Sequence, residues 1–392
     1  MGRDRNLTIT YSAVQAAFWM DLCVALSFAS VYLLGLGYTN ASLGIIIAAG
    51  NLISALIGPG LSSLIDRYEN VTAEKVMTPV LAFRSVMLIL MVFFPVKGLI
   101  TSIGFVLYIA FSMSVNSLNL KMYVDAEYNG IKINYGFSRG MGSLAYVLIS
   151  LLLGVIITNT SVIAVPCAGI AVGIFQFAAF VLFRKGAGIT AASKDTDLGR
   201  GKTVFEFASA NKRFCVLLFG TVLVFFSHNT VCNFLINVVE NIGGSTSEMG
   251  FLNGFMAAVE IPMMLTFSRF FGNKDPASIL KFAFAVFTAK AVAIAAAPGM
   301  LLMTGAFVLQ APSFALYTAA IVPYVEKTIP HEDSAKAQSL AFTMTTFSSV
   351  LSGTVSGRLY DNTSVTMTLW IAAAVCLAGT IVSIAGIRSG NR

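Results

Sequence analysis

The chain has 392 residues, 57% of them hydrophobic and 11% charged, with a mean hydropathy of +0.82 and a formal net charge of +7. A soluble domain carries about 25% charged residues to meet water, so a water-facing globule is excluded and lipid is expected to be the main solvent. The excess positive charge invites a nucleic-acid reading, but its distribution along the chain points elsewhere.

Residues 1–10 carry Arg3, Asp4 and Arg5 and lead into an apolar run over 11–34. That run is too long for a signal-peptide core and lacks a small-residue cleavage pattern, so it is expected to be a retained first span. Further runs of about 20 apolar residues, each long enough to cross a hydrocarbon core as a helix, predict spans over 42–65, 73–94, 101–124, 135–158 and 161–183. After a polar stretch come 214–239, 249–271, 277–297, 300–325, 337–359 and 364–387. The expected fold is therefore an all-α, multi-pass membrane protein of about twelve helices.

With the N-terminus in the cytoplasm, Lys97 and Arg358 are the bases left outside, whereas Arg67, Lys75, Lys132, Arg184, Lys185, Lys212, Arg213, Lys274 and Lys327 fall inside with many others. Cationic loops resist translocation, so both termini are expected to be cytoplasmic, in the cell membrane, and the basic charge is topological. The polar segment 185–212 divides the spans into six and six: an N-terminal bundle over 1–184, a cytoplasmic linker and a C-terminal bundle over 213–392. Two such halves form a parallel repeat whose central site opens to either side by rocking. No phosphate-binding glycine loop followed by Lys-Ser/Thr is present, so the expected energy source is an ion or solute gradient.

Enzyme chemistry finds no support. Two histidines, His228 and His331, occur without HExxH or GxSxG patterns, and the five cysteines lack CxxC spacing. No cofactor, metal or nucleic-acid partner is expected; the partners are lipid, protons and a small-molecule solute, and the chain is expected to work as a monomer.

Ionisable groups deep in a bilayer cost about 2.5–3.5 kcal/mol each on insertion scales, so each requires a partner or a hydrated cavity. Glu260 lies midway along the eighth span, and Lys290 in the ninth is its expected counterion. The pair either carries a proton through a transport cycle or only fastens two helices. Asp21 in the first span is a second proton-carrying candidate, with a pairing to Arg84 as the alternative. In the seventh span Asn229, Asn233 and Asn237 recur at i, i+4 and i+8, a polar face that lipid does not tolerate, with His228 adjoining. Lys121 has Asp125 one turn on, the spacing of a helix surface pair. Gly136/Gly140 and Gly353/Gly357 have the spacing of close helix contacts.

Several stretches carry a resemblance. Ser42-Leu43-Gly44-Ile45-Ile46-Ile47-Ala48-Ala49, Pro59 and Ser62-x-Leu64-x-Asp66-Arg67 are similar to the second helix and following loop of the major facilitator superfamily, with half of its Gly-x-Leu-x-Asp-Arg-x-Gly-Arg-Arg pattern kept. Tyr135-Gly136, Arg139, Gly142 and Tyr146 resemble the fifth helix of the lactose permease (oligosaccharide:proton symporter) branch. Glu260 and Lys290 resemble the acid and arginine of helices eight and nine in the phenylpropionate permeases, and Gly357-x-Leu359-Tyr360-Asp361 the end of helix eleven. The resemblance implies a proton-coupled symporter in two six-helix bundles, with Arg139 on a sugar-binding arginine, Tyr146 on a stacking tryptophan and Asp66 and Arg67 in a conformational loop. It also exposes departures. Lys121 stands where a sugar-binding acid is expected, Gln310 and Ser313 where His and Glu of proton coupling are expected, and Asn229 with Thr345 replaces a buried Asp–Lys pair. Lactose is thereby disfavoured, and a small polar or anionic solute contacting Arg139, Tyr146, Lys121, His228, Asn229, Asn233, Asn237 and Gln310 is expected instead.

Overall fold

A computed structural model describes residues 2–68, 71, 73–187 and 204–388. Its regular elements are helical, as lipid requires of segments that must satisfy their own backbone groups.

The chain clusters into two compact units, Met1–Asp197 with Ser245–Gly254, and Leu198–Gly244 with Phe255–Arg392. In the first unit, α1 (Gly2–Leu22) passes through a π turn, Cys23–Ser27, into α2 (Ala29–Gly35). Then follow α3 (Asn40–Arg67), α4 (Ala73–Phe93), α5 (Leu99–Tyr128), α6 (Tyr135–Asn159) and α7 (Ala164–Ala187). Polar side chains start these helices by taking up orphan N–H groups: Thr39 accepts from the Ser42 amide at 3.2 Å and Asn134 from Phe137 at 3.0 Å. Tyr11, Phe18, Met77, Leu118, Phe180 and Phe183 make the core of this unit.

The second unit holds α8 (Val204–Ala210), α9 (Lys212–Asn233), α10 (Leu235–Asn241), most of α11 (Thr246–Phe271) and α12 (Pro276–Ala296). Next come α13 (Met300–Val308), a π turn over Ala311–Ala315, α14 (Leu316–Thr328), α15 (His331–Asn362) and α16 (Val365–Gly386). A capping box starts α11, in which Glu248 accepts from the Ser245 amide at 2.7 Å. Phe207 of α8 is buried with Leu217, Phe284, Phe287 and Tyr317. Of the expected linker 185–212, residues 188–203 lie outside the described ones, and its described ends are largely helical, in α7 and α8.

Eleven helical stretches among the described residues are long and apolar enough to cross a membrane. The run expected over 337–359 sits in α15, whose 32 residues reach about 48 Å at 1.5 Å each. Its polarity keeps it off that count, and its packing explains the polarity. Ser348, Ser352 and Ser356 are fully buried; Ser348 donates to the Val222 carbonyl at 2.7 Å, and Ser356 shares a 2.6 Å bond with Thr230, both on α9. Small hydroxyls one turn apart thus join two helices without facing lipid.

Three spans expected to be continuous are interrupted. The first and tenth contain the two π turns, and the seventh breaks at Phe234, whose φ of −120° and ψ of 29° leave the helical region. In the tenth, Pro312 has no amide to give the Val308 carbonyl, which favours a local change of winding. Glycine contacts also differ from expectation. A Cβ on Gly140 would meet nothing within 4 Å, and one on Gly136 only its own cap residue Asn134 at 3.7 Å, so this pair joins no helices. A close approach is made by another pair: a Cβ on Gly220 would lie 2.7 Å from the Gly379 carbonyl oxygen, which fixes α9 against α16.

Candidate functional site

In the second unit, four helices direct polar side chains to one place. Glu260 stands on α11 two residues before Pro262, a residue that leaves the Ala258 carbonyl without its helical partner. Lys290 stands on α12, three residues after Phe287, so that Phe287 and Lys290 share a face and the ammonium lies 4.9 Å from the ring centroid. Gln310 immediately precedes the Ala311–Ala315 π turn. His228 belongs to α9.

The Lys290 Nζ donates to Gln310 Oε1 at 2.7 Å, and Gln310 Nε2 donates to Glu260 Oε1 at 2.7 Å. Nζ also stands 3.2 Å from His228 Nδ1. A primary amide is suited to this position because its oxygen serves a cation while its N–H serves an anion. The chain predicted to hold Glu260 beside Lys290 thus runs through Gln310, the residue found where a histidine was expected. Lys290 and Gln310 are each only 3% exposed, and compensation by Glu260 is what makes a buried ammonium tolerable. His228 is packed by rings, with Phe314 at 5.2 Å and Phe287 and Phe225 at 6.0 Å between centroids. Beside it lies a cavity of about 10 Å³, the room of one water. Its walls are chiefly Val224, Val231, Phe287, Ile294 and Phe307, with Ser227, His228, Lys290 and Cys376 the polar or thiol-bearing contributors.

The amides of the seventh span do not form one continuous face. Asn229 and Asn233 are on α9, where Asn233 Nδ2 lies 3.5 Å from Ser349 Oγ, and Asn237 is on α10 beyond the break at Phe234. That break interrupts the helical register on which the i, i+4, i+8 reading relied.

The first unit holds a separate buried cluster. Asp21 Oδ2 accepts from Arg84 Nη1 at 2.7 Å and Oδ1 from the Tyr108 hydroxyl at 3.0 Å, with Asp21 and Arg84 both at 0% exposure. Asp21 therefore has the Arg84 partner weighed as its alternative, and a tyrosine that sequence reading missed. The space for both side chains comes from α7. A Cβ on Gly173 would stand 3.2 Å from Arg84 Nη2 and one on Gly169 3.1 Å from the Tyr108 oxygen, so two glycines one turn apart make room for both side chains.

Arg139 lies with its guanidinium carbon 3.8 Å from the centroid of Trp19 and donates to Ser143 Oγ at 2.8 Å. Tyr146 shares a 2.6 Å bond with Ser27 and donates to Asn253 Oδ1 at 3.1 Å, while Asn253 Nδ2 donates to Ser150 at 2.9 Å. Trp19, Ser27, Ser143 and Ser150 were not foreseen, because a lone tryptophan or serine in an apolar run carries no sequence signal of its partner. Lys121 Nζ is 3.7 Å from Asp125 Oδ1, the i, i+4 pairing weighed as its alternative. Arg67 stands over the Tyr68 ring at 5.7 Å; the side chain of Asp66 lies outside the described residues. Among the described residues, no group of three or more His, Cys, Asp or Glu gathers as a metal site.

The fold is similar to that of known transporters. The crystal structure of the nucleoside transporter NupG matches with a TM-score of 0.78 at 15% identity, covering 100% of both chains. A bacterial homologue of the iron transporter ferroportin in an inward-facing state gives 0.70 at 12% identity, covering 98% of this chain and 99% of that one. A bacterial homologue of the human lysosomal transporter Spinster, inward-facing and occupied, gives 0.62 at 13%, covering 98% and 94%. No curated protein sequence matches the chain. At these identities the structures speak to fold, and the lactose permease branch rests on the sequence resemblance alone. The model of the MFS_1 like family matches residues 10–372, nearly the whole chain, and the protein belongs to that family, as a multi-pass membrane transporter of the major facilitator type.

Proposed function

We propose that the protein is a proton-coupled symporter of a small polar or anionic organic solute, working by alternating access in the cell membrane with both termini in the cytoplasm. The observation that carries this reading is the Glu260–Gln310–Lys290 hydrogen-bonded chain. Protonating Glu260 removes the charge that compensates Lys290, so the Glu260 carboxylate and an anionic solute group become interchangeable partners of one buried ammonium, and the proton held on Glu260 travels with the solute. A carboxylate that takes the place of Glu260 on Gln310 or Lys290 keeps the site neutral, and that exchange links the two loads. Within the first unit, Arg139, held on Trp19, is by itself a group suited to an anionic or hydroxyl-rich solute.

Uptake into proteoliposomes of radiolabelled small carboxylates, nucleosides and sugars, with and without an inward-directed proton gradient, tests the reading. Candidates come first from a thermal-shift screen, since a ligand that binds the folded state raises its apparent stability. Gradient-dependent accumulation supports symport. Equal transport with no gradient favours a second reading, an uncoupled facilitator or exporter of amphipathic compounds, which the presence of Gln310 and Ser313 in place of a histidine and an acid independently favours.

A further inference from the structure

The Lys290–His228 contact has no role in the exchange just described. The two nitrogens are 3.2 Å apart, a hydrogen-bond distance with room for one hydrogen between them. If Lys290 is an ammonium, His228 offers the Nδ1 lone pair and is a neutral imidazole with its hydrogen on Nε2. If the hydrogen belongs to His228 Nδ1, Lys290 is the acceptor and a neutral amine. In neither arrangement does the pair hold the two charges of a free imidazolium and a free ammonium.

We propose that His228 and Lys290 share a single proton in this state, and that a second proton arriving on His228 Nδ1 displaces Lys290 and prepares the site for an anionic solute. This rests on the coupling reading above and concerns the anionic character of its substrate. The groups facing His228 are Lys290 and Phe287 from α12, Phe314 from the π turn, Phe225 and Cys232 from its own helix, with Cys232 Sγ at 3.7 Å. Cys376 of α16 lines the same cavity, and Glu260 reaches Lys290 through Gln310. With Lys290 cationic, Glu260 anionic and His228 neutral, these three groups sum to zero. Protonation of Nδ1 consumes the lone pair that held Lys290, forms an N–H bond, breaks the Lys290–His228 hydrogen bond and leaves a net charge of one positive unit. Two cations facing each other beside a mostly apolar cavity repel strongly, so Lys290 turns away from the imidazolium. Each proton taken up, on His228 or on Glu260, adds one positive unit for an anionic solute group to offset.

The chain has two histidines, so His331→Gln leaves His228 as the single imidazole. Solid-state ¹⁵N spectra of the purified full-length His331→Gln protein, labelled at histidine and reconstituted in lipid without solute, read its protonation directly from pH 5 to 9. The expected result is a neutral His228 at neutral pH, with a titration midpoint that moves by about one pH unit or more when Lys290→Gln removes the neighbouring charge. Lys290→Arg, which keeps a cation, holds the midpoint near its original place and guards against a folding defect in the first variant. A midpoint unchanged in Lys290→Gln overturns the proposal. Because this titration needs neither solute nor gradient, its failure leaves the coupling reading to stand or fall on uptake.

Discussion

Arg139 rests its guanidinium on the indole of Trp19, with Cζ 3.8 Å from the ring centroid. Gly142 makes the stack possible, because a Cβ there would crowd the indole, lying 3.2 Å from its Nε1. A cation–π contact of this kind contributes about 0.5–2 kcal/mol, enough to hold Arg139 in place yet small enough for a solute to compete with.

The chain has two tryptophans, so Trp370→Phe leaves Trp19 as a local reporter. In that background, a transported solute that engages Arg139 is expected to change Trp19 emission in a saturable way, and Arg139→Gln to remove the response. The same Arg139→Gln change is expected to lower uptake at least tenfold, about 1.4 kcal/mol of lost binding. Normal uptake by the variant removes Arg139 from solute contact.

Gln310→Leu keeps much of the volume but severs both bonds of the bridging amide. Breaking the support of a buried charge pair costs about 3–5 kcal/mol, and a fall in thermal midpoint is expected. Lys290→Met should be similarly damaging alone, because Glu260 is left without its cation. Adding Glu260→Gln to Lys290→Met should recover part of the loss, and the double-mutant cycle measures that coupling.

Gly173→Ala places a methyl group 3.2 Å from Arg84 Nη2, in a cluster where Arg84 and Asp21 are fully buried. A loss of about 1–3 kcal/mol is expected from overpacking. Solvent-exposed Gly98, where a Cβ meets nothing within 4 Å, provides the control: Gly98→Ala should leave the thermal midpoint within a degree or two of the original, about 0.5 kcal/mol or less.

Much of this fold was legible because lipid imposes one rule, about 20 apolar residues per crossing, and the chain obeys it. The exception has a physical reason: α15 is diluted by Ser348, Ser352 and Ser356, which are buried, and the hydroxyls of Ser348 and Ser356 are used up against α9 rather than shown to lipid. The breaks at Cys23–Ser27 and Phe234 were not legible, since neither a π turn nor one residue outside the helical region changes composition, whereas Pro312 marks the Ala311–Ala315 turn. Glu260, Lys290 and Gln310 could be singled out as polar residues in apolar runs. Their order along a bonded chain could not, because it depends on how four helices are rotated, and the sequence of each helix says nothing of the phase of its neighbours. Arg84 was read as a partner for Asp21, but Tyr108 resembled any other aromatic residue in a membrane helix.

At the helix start of α12, Asp275 accepts from Lys327 at 2.9 Å and from the Ser278 amide at 3.3 Å. The hydrogen bond from Lys327 holds its carboxyl below the usual carboxylate range. A carboxyl whose value is depressed on folding contributes stability above its unfolded value of about 3.9, and loses it as pH falls towards the lower folded value. Both side chains are about a third or more exposed, so the contribution is below about 1 kcal/mol. Stability curves in acid are expected to show Lys327→Gln less stable than the original at pH 6, with the two converging as pH falls below 4.

Substitution of Glu260 by glutamine keeps the shape and the bond to Gln310 while removing the ability to ionise. Proteoliposomes carrying Glu260→Gln, loaded for counterflow and then challenged with an inward proton gradient, separate solute exchange from proton-driven accumulation. The predicted outcome is exchange retained in good part with accumulation abolished; accumulation at the original level would contradict the assignment of proton coupling to the Glu260–Gln310–Lys290 chain.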